Sequence, residues 1–213
     1  MAILVTGFGP YGTFESNPSW EAIRDGRLKV DREGWTIETA KLDFSYDAAS
    51  KFSETVWQKY DPVLVVHLGF EINNKSFLQF EQFAREGPYV KEDSDSYAPH
   101  ANQDSRPEKY VPASTTHNDR LETCFNIDSI CDQLNSLHRE GKIALLAKKS
   151  TDAGLYIGEY LYHRTLTNSA LRRAVFVHVP DVMNFEITDI TLALKCALEF
   201  IIDHYPDKKS KPK

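Results

Sequence analysis

Four short stretches of this chain carry residue types suited to chemistry. Phe176-Val177-His178-Val179-Pro180 places a histidine at the end of an apolar run. In open α/β sheets, ligands and catalytic groups gather at such strand ends. An imidazole there can act as the general base that activates a nucleophile. Glu81, in Phe80-Glu81-Gln82, is a carboxylate able to orient an imidazole or to meet a substrate amide. His67, beside Gly69 after Val63 to Val66, is a second strand-end histidine, and for both histidines a structural role competes with a chemical one.

Thr6-Gly7-Phe8-Gly9-Pro10-Tyr11-Gly12, followed by Asn17-Pro18-Ser19-Trp20, has the glycines of a phosphate loop without its pattern. It contains neither Gly-x-Gly-x-x-Gly nor Gly-Lys-Ser/Thr, and its aromatic-proline-aromatic order reads as a rigid apolar pocket wall. Asn17 and Ser19 suit the start of the next helix, with Pro18 in its first turn. The fourth stretch runs from Ser150 to Tyr160. Ser150, Thr151 or Asp152 can cap a helix over Ala153 to Leu166, which would put Gly158 more than one turn inside it. A thiol near a helix N-terminus is acidified by the dipole. This frame holds a glycine, which costs about 1 kcal/mol relative to alanine in a helix interior. Close helix packing and the loss of a working side chain are both open readings at that position.

The elements that must position these residues alternate along the chain. Apolar runs at Ala2 to Thr6, Thr36 to Leu42, Val63 to Leu68, Ile143 to Ala147 and Ala174 to Val177 predict strands. Helical patterns at Trp20 to Leu28, Tyr46 to Lys59, Ile127 to Arg139 and Asp189 to His204 lie between and after them. Phe77 to Ala84 alternates like a strand with one exposed face. The order predicts an α/β fold, a three-layer α/β/α sandwich with a mostly parallel central sheet. Residues 1–205 read as one domain, with an irregular insertion over about 86–126 and a basic tail at 206–213.

Composition narrows the function. A net charge of −6 disfavours nucleic acid as a partner. No run approaches the ~18 apolar residues of a membrane span, so no membrane association is expected, and the location expected is cytoplasmic. The 3 cysteines, Cys124, Cys131 and Cys196, form neither a disulfide framework nor a zinc spacing, so no metal and no cofactor is expected.

Taken together, the glycine-aromatic loop, Val65-Val66-His67-Leu68-Gly69, Ser150 to Tyr160 and Phe176 to Pro180 resemble the pyroglutamyl peptidase I family in order and spacing, over about residues 2 to 204. This is a family of cysteine peptidases that remove an N-terminal pyroglutamyl residue through a Cys-His-Glu set. The resemblance implies that His178 is the catalytic histidine and Glu81 the glutamate, the latter after a one-residue shift. It implies that Phe8 and Tyr11 help form the pyroglutamyl pocket, Tyr11 replacing a usual phenylalanine. It also implies that Gly158 stands where the family has its attacking cysteine. A glycine cannot attack a carbonyl, so the expectation is a pseudopeptidase that keeps the pocket for N-terminal pyroglutamyl peptides or a protein partner. Two alternatives stand beside it: an active omega-peptidase with a non-standard nucleophile, for which Cys124 is the least constrained thiol, and an engineered inactive form of an active peptidase.

Overall fold

Valine, leucine and isoleucine dominate the strands at the centre of the sheet, where both faces are covered and no polar side is needed. In the computed structural model, which describes residues 1–72, 74, 76–100, 120–183 and 185–205, the chain order begins with β1 (Ala2–Phe8), α1 (Pro18–Glu21), β2 (Thr36–Leu42), α2 (Tyr46–Lys59) and β3 (Leu64–Phe70). It continues with β4 (Phe77–Glu81), β5 (Phe83–Arg85), β6 (Arg120–Glu122), α3 (Ile127–Arg139), β7 (Leu146–Ser150), α4 (Ile157–Thr167), β8 (Ala174–Val179) and α5 (Ile187–Asp203). Residues 101–119 of the expected insertion and the tail at 206–213 lie outside the described residues.

Six strands form one sheet in the order β2-β1-β3-β8-β4-β7, and β5 and β6 form a separate hairpin. The first four strands of that order run parallel. β4 is antiparallel to β8, and β7 is parallel to β4. Side chains alternate across the sheet. Val175, Val177 and Val179 join a core with Ile130, Ile190, Leu194 and Leu198 of α3 and α5. Phe176 and Ala174 join the opposite core with Val56 of α2 and Tyr162 and Leu166 of α4. The sheet therefore lies between α1, α3 and α5 on one side and α2 and α4 on the other. That is the α/β/α sandwich, with a mostly parallel sheet.

Four local expectations need correction. Phe77 to Ala84 is not one strand: β4 ends at Glu81 in the main sheet, and β5 starts at Phe83 in the hairpin. Trp20 to Leu28 is not one helix: α1 ends at Glu21, and a single 3₁₀ turn follows at Arg24–Gly26. Asp25 at φ 56° and Gly26 at φ 69° are left-handed there, which no continuing α-helix permits. The strand expected at Ile143 to Ala147 is paired over Leu146–Ser150 instead. It is an edge strand, so Lys148 and Lys149 belong to it although they break the apolar run. α4 starts at Ile157 rather than Ala153, with Tyr156 as its cap residue and no side-chain cap from Ser150, Thr151 or Asp152. Gly158 is thus the second residue of the helix, in its first turn and not its interior.

Candidate functional site

The antiparallel join of β4 and β8 assembles the polar centre. Gln79 lies opposite His178, and Glu81 opposite Phe176. Opposed residues share a face and so do residues two apart, which puts all four side chains on the side covered by α4. There His178 Nδ1–H donates to Glu81 Oε1 at 2.9 Å. Gln79 Nε2 donates to the same oxygen at 2.8 Å. Glu81 is fully buried, and its Oε2 has no partner among the described residues. With Nδ1 engaged, the other ring nitrogen of His178 is the one presented to the cavity that His178 lines.

That cavity, about 260 Å³, is bounded by Phe8, Tyr11, Phe14, Phe44, Phe70 and Tyr156. Its volume lies just below the range of drug-sized pockets, so it suits a small ring. Its charged wall residues are Lys91 and Glu71, and its floor includes Gly154, Gly158 and His178. Tyr11 stacks on Phe44 with centroids 3.8 Å apart and 24° between planes. Tyr156 donates to the Glu92 carbonyl at 2.5 Å, so the 2.6 Å contact between the Tyr11 and Tyr156 hydroxyls must use the Tyr11 proton. Burial and the Tyr11 hydrogen bond hold the Tyr156 phenol well above its usual range, so it stays neutral. The loop carrying Phe8 and Tyr11 is itself held from behind. The Asn17 side-chain oxygen Oδ1 caps α1 by accepting from Ser19 N at 3.1 Å, and Ser19 Oγ accepts from Phe8 N at 3.0 Å. Both Asn17 and Ser19 therefore serve the turn, as the sequence suggests.

Gly158 has a close neighbour. A Cβ built on it would lie 2.5 Å from Phe176 Cζ, and one built on Gly69 would lie 2.7 Å from the same atom. The Phe176 ring thus fits between two glycines, and its centroid is 4.6 Å from that of His178. Next in α4, Glu159 is fully buried. It takes Arg85 through both oxygens, Nε to Oε1 at 2.8 Å and Nη2 to Oε2 at 2.9 Å, and also accepts from Leu155 N at 2.7 Å. Arg85 Nη2 further meets Asp152, and its guanidinium holds the Asp152 carboxyl below the usual carboxylate range. These contacts fix the turn before α4, where Gly154 has φ 94° and Leu155 φ 46°.

Phe8, Tyr11, Gly158 and His178 thus border one cavity, with Glu81 behind His178. His67 is outside it. Its Nδ1 meets Thr6 Oγ1 at 2.8 Å and its Nε2 meets Thr165 Oγ1 at 2.9 Å, and burial lowers its pKa to about 3. It is a neutral structural histidine. None of the three thiols lines the cavity; Cys131 is buried, and desolvation pushes its pKa up to about 12. Among the described residues no group of His, Cys, Asp and Glu side chains could hold a metal, and no helix is long and apolar enough to cross a membrane. Sequence reasoning missed Gln79, Phe176, Phe44, Tyr156 and the Arg85–Glu159 pair. Gln79 and Phe176 were within reach, since each sits two residues from a singled-out residue on the same strand. Tyr156 lay inside the Ser150 to Tyr160 stretch, two residues from Gly158, whereas Phe44 carried no such sign.

The family model for pyroglutamyl peptidase matches residues 1–203. The chain belongs to the pyroglutamyl peptidase family. Pyroglutamyl-peptidase 1 of Homo sapiens is 24% identical over 99% of this chain and 94% of its own length. A pyrrolidone-carboxylate peptidase of Streptococcus pneumoniae is 24% identical over 98% and 95%. Among solved pyroglutamyl peptidase folds, a mutant pyrrolidone carboxyl peptidase from Pyrococcus furiosus superposes with a TM-score of 0.78 at 21% identity, covering 97% of this chain and all of that one. Pyroglutamyl peptidase I of Bacillus amyloliquefaciens gives 0.74 at 20% identity, covering 93% and 95%.

Proposed function

We propose that this member of the pyroglutamyl peptidase family binds rather than cleaves: a pseudopeptidase whose cavity keeps the size for a pyroglutamyl ring while Gly158 stands in the place of the nucleophile. The observation that carries the reading is that Gly158, in the first turn of α4, borders the same cavity as the His178–Glu81 pair. A cysteine there would sit at the positive end of the helix dipole, where thiolate is favoured, with the free nitrogen of His178 as its base. Glu81 would hold the imidazole through Nδ1, and Gln79 would hold Glu81. What the arrangement lacks is the sulfur and the room for it, since the Phe176 ring lies 2.5 Å from the Cβ that a cysteine would add. Without it no acyl intermediate forms. In another hydrolase, loss of the nucleophile alone costs about a millionfold in turnover.

The test is hydrolysis of a chromogenic pyroglutamyl amide. The wild-type chain is expected to give no turnover above background, and Gly158→Cys paired with Phe176→Leu, which removes the ring atoms 2.5 Å from the added Cβ, to gain turnover that thiol reagents abolish. Thiol-sensitive turnover by the wild type would overturn the reading. The intact His178–Glu81 hydrogen bond favours a second reading, in which the pair activates water or another nucleophile and the chain is an omega-peptidase. That reading predicts wild-type turnover that resists thiol reagents and disappears in His178→Gln. The first reading leaves an N-terminal pyroglutamyl peptide or a protein partner to be bound; the second requires a peptide bearing an N-terminal pyroglutamyl residue as substrate.

A further inference from the structure

At about 260 Å³ the cavity has room for a small ring and little more, so the rest of any peptide held by its first residue must leave over the rim. One part of the rim is tied together by hydrogen bonds. The Tyr11 hydroxyl donates to Tyr156, Tyr156 donates to the Glu92 carbonyl, and Lys91 Nζ donates to the Gly154 carbonyl at 3.0 Å. Another part is apolar. Phe14 meets the Phe70 ring edge-on, with centroids 5.5 Å apart, and Phe14, Phe70 and Ile72 all border the cavity. The sheet carries this apolar part outward. β3 and β8 are parallel neighbours with Phe70 beside Val179, and beyond their ends Asp181 N donates to the Asn74 carbonyl at 3.2 Å. Ile72 and the turn at 181–183, closed by Met183 N donating to Asp181 Oδ1, therefore leave the sheet side by side. Among the described residues eight large apolar side chains are exposed, and four of them, Phe14, Ile72, Val182 and Met183, belong to this corner. Ile72 is 53% exposed and Met183 86%. Single exposed apolar residues are ordinary, whereas a cluster of them on the lip of a cavity marks a binding surface.

We infer that this lip seats the second residue of a bound peptide, and that the peptide carries a large apolar side chain there, directly after its N-terminal ring. The inference rests on the pocket reading above and adds to it the residue that follows the ring. A leucine or phenylalanine side chain laid across Ile72, Val182 and Met183 removes apolar surface from water on both partners. Methionine suits such a surface, because its unbranched thioether chain adapts to side chains of different shape. An acidic second residue is selected against. It would lose hydration on this surface and would meet Glu71 and Asp181, which lie in the same two segments.

Calorimetric titration of the full chain with the amides of pyroglutamyl-leucine, pyroglutamyl-serine and pyroglutamyl-aspartate tests this. The leucine peptide is expected to bind about tenfold more tightly than the serine peptide, the gain from burying about half of a leucine side chain, and the aspartate peptide is expected to bind most weakly. Should the chain cleave these peptides, the same ratios are read from kcat/KM. Val182→Ser combined with Met183→Ser changes only exposed side chains outside the cavity. It is expected to cut the leucine preference to about twofold and to leave the affinity for the serine peptide unchanged. Equal binding of the leucine and serine peptides to the wild type overturns the inference and leaves the pocket reading intact, as does a leucine preference that survives the double variant in full. A wild-type dimer that the double variant dissolves in sedimentation, with no preference among the peptides, also overturns it and gives the lip to a second copy of the chain. If none of the three peptides binds, the inference and the pocket reading fall together.

Discussion

At position 158 the cost of any side chain is set by Phe176. The ring is almost fully buried, lies tilted against His178, and reaches to 2.5 Å from the Cβ that an alanine would add. It has little room to retreat, because Gly69 bounds it on the other side. Gly158→Ala is therefore expected to destabilise the chain by about 1–3 kcal/mol, the usual cost of overpacking, although alanine is the better helix former. Chemical denaturation of the two proteins measures this. A neutral or stabilising result would mean that the ring moves freely and that the contact does not define the site. The two readings that sequence left open at Gly158, close packing and a missing functional group, are thus not exclusive. The position of the glycine was legible from the motif around it. The ring that fills the space was not, because Phe176 comes from another strand and nothing local joins the two.

The elements that carry the site show where sequence logic stops. α2 and α3 fall where their apolar periodicity puts them, at Tyr46–Lys59 and Ile127–Arg139. α4 starts later than its candidate caps suggest, since Gly154 and Leu155 adopt left-handed backbone and the Glu159 carboxylate reaches back to Leu155 N. Leucine is strained at positive φ, so something must hold it. That holder is the Arg85–Glu159 pair, which ties α4 to β5 across a long sequence separation and leaves no trace in any single segment. Arg85→Met removes the partner of a buried carboxylate, for which the expected loss is about 3 kcal/mol in denaturant. Amide hydrogen exchange should rise across residues 152–157 more than elsewhere. Protection unchanged in that turn would show that the two left-handed residues are stable without the pair.

Over the whole molecule, the fold class was legible because each strand and helix announces itself locally, while the antiparallel entry of β4 beside β8 was not, because strand pairing is non-local. That join creates the site: it sets Gln79 opposite His178 and Glu81 opposite Phe176. A second long-range tie holds the parallel half. His67 on β3 bonds Thr6 of β1 through one nitrogen and Thr165 of α4 through the other, in full burial. A charged imidazole would have to lose one of these bonds as acceptor and sit desolvated, which is why its folded pKa is depressed to about 3. The unfolded chain, with a histidine pKa near 6.5, then binds the proton that the folded chain refuses. Stability from this group is complete above about pH 6.5 and is lost as pH falls toward 3, by up to about 1.4 kcal/mol per pH unit. Asp31, Asp152 and Asp203 also have lowered pKa values, but they withdraw stability only below the usual carboxylate range. Comparison with His67→Gln isolates the His67 part of the slope between pH 6 and 4.5. Denaturant unfolding across that interval should show a steep fall for the wild type and a distinctly flatter one for His67→Gln, which has nothing to titrate there. Equal slopes in the two proteins would mean that His67 accepts a proton in the folded state and that its two threonine bonds do not hold it neutral.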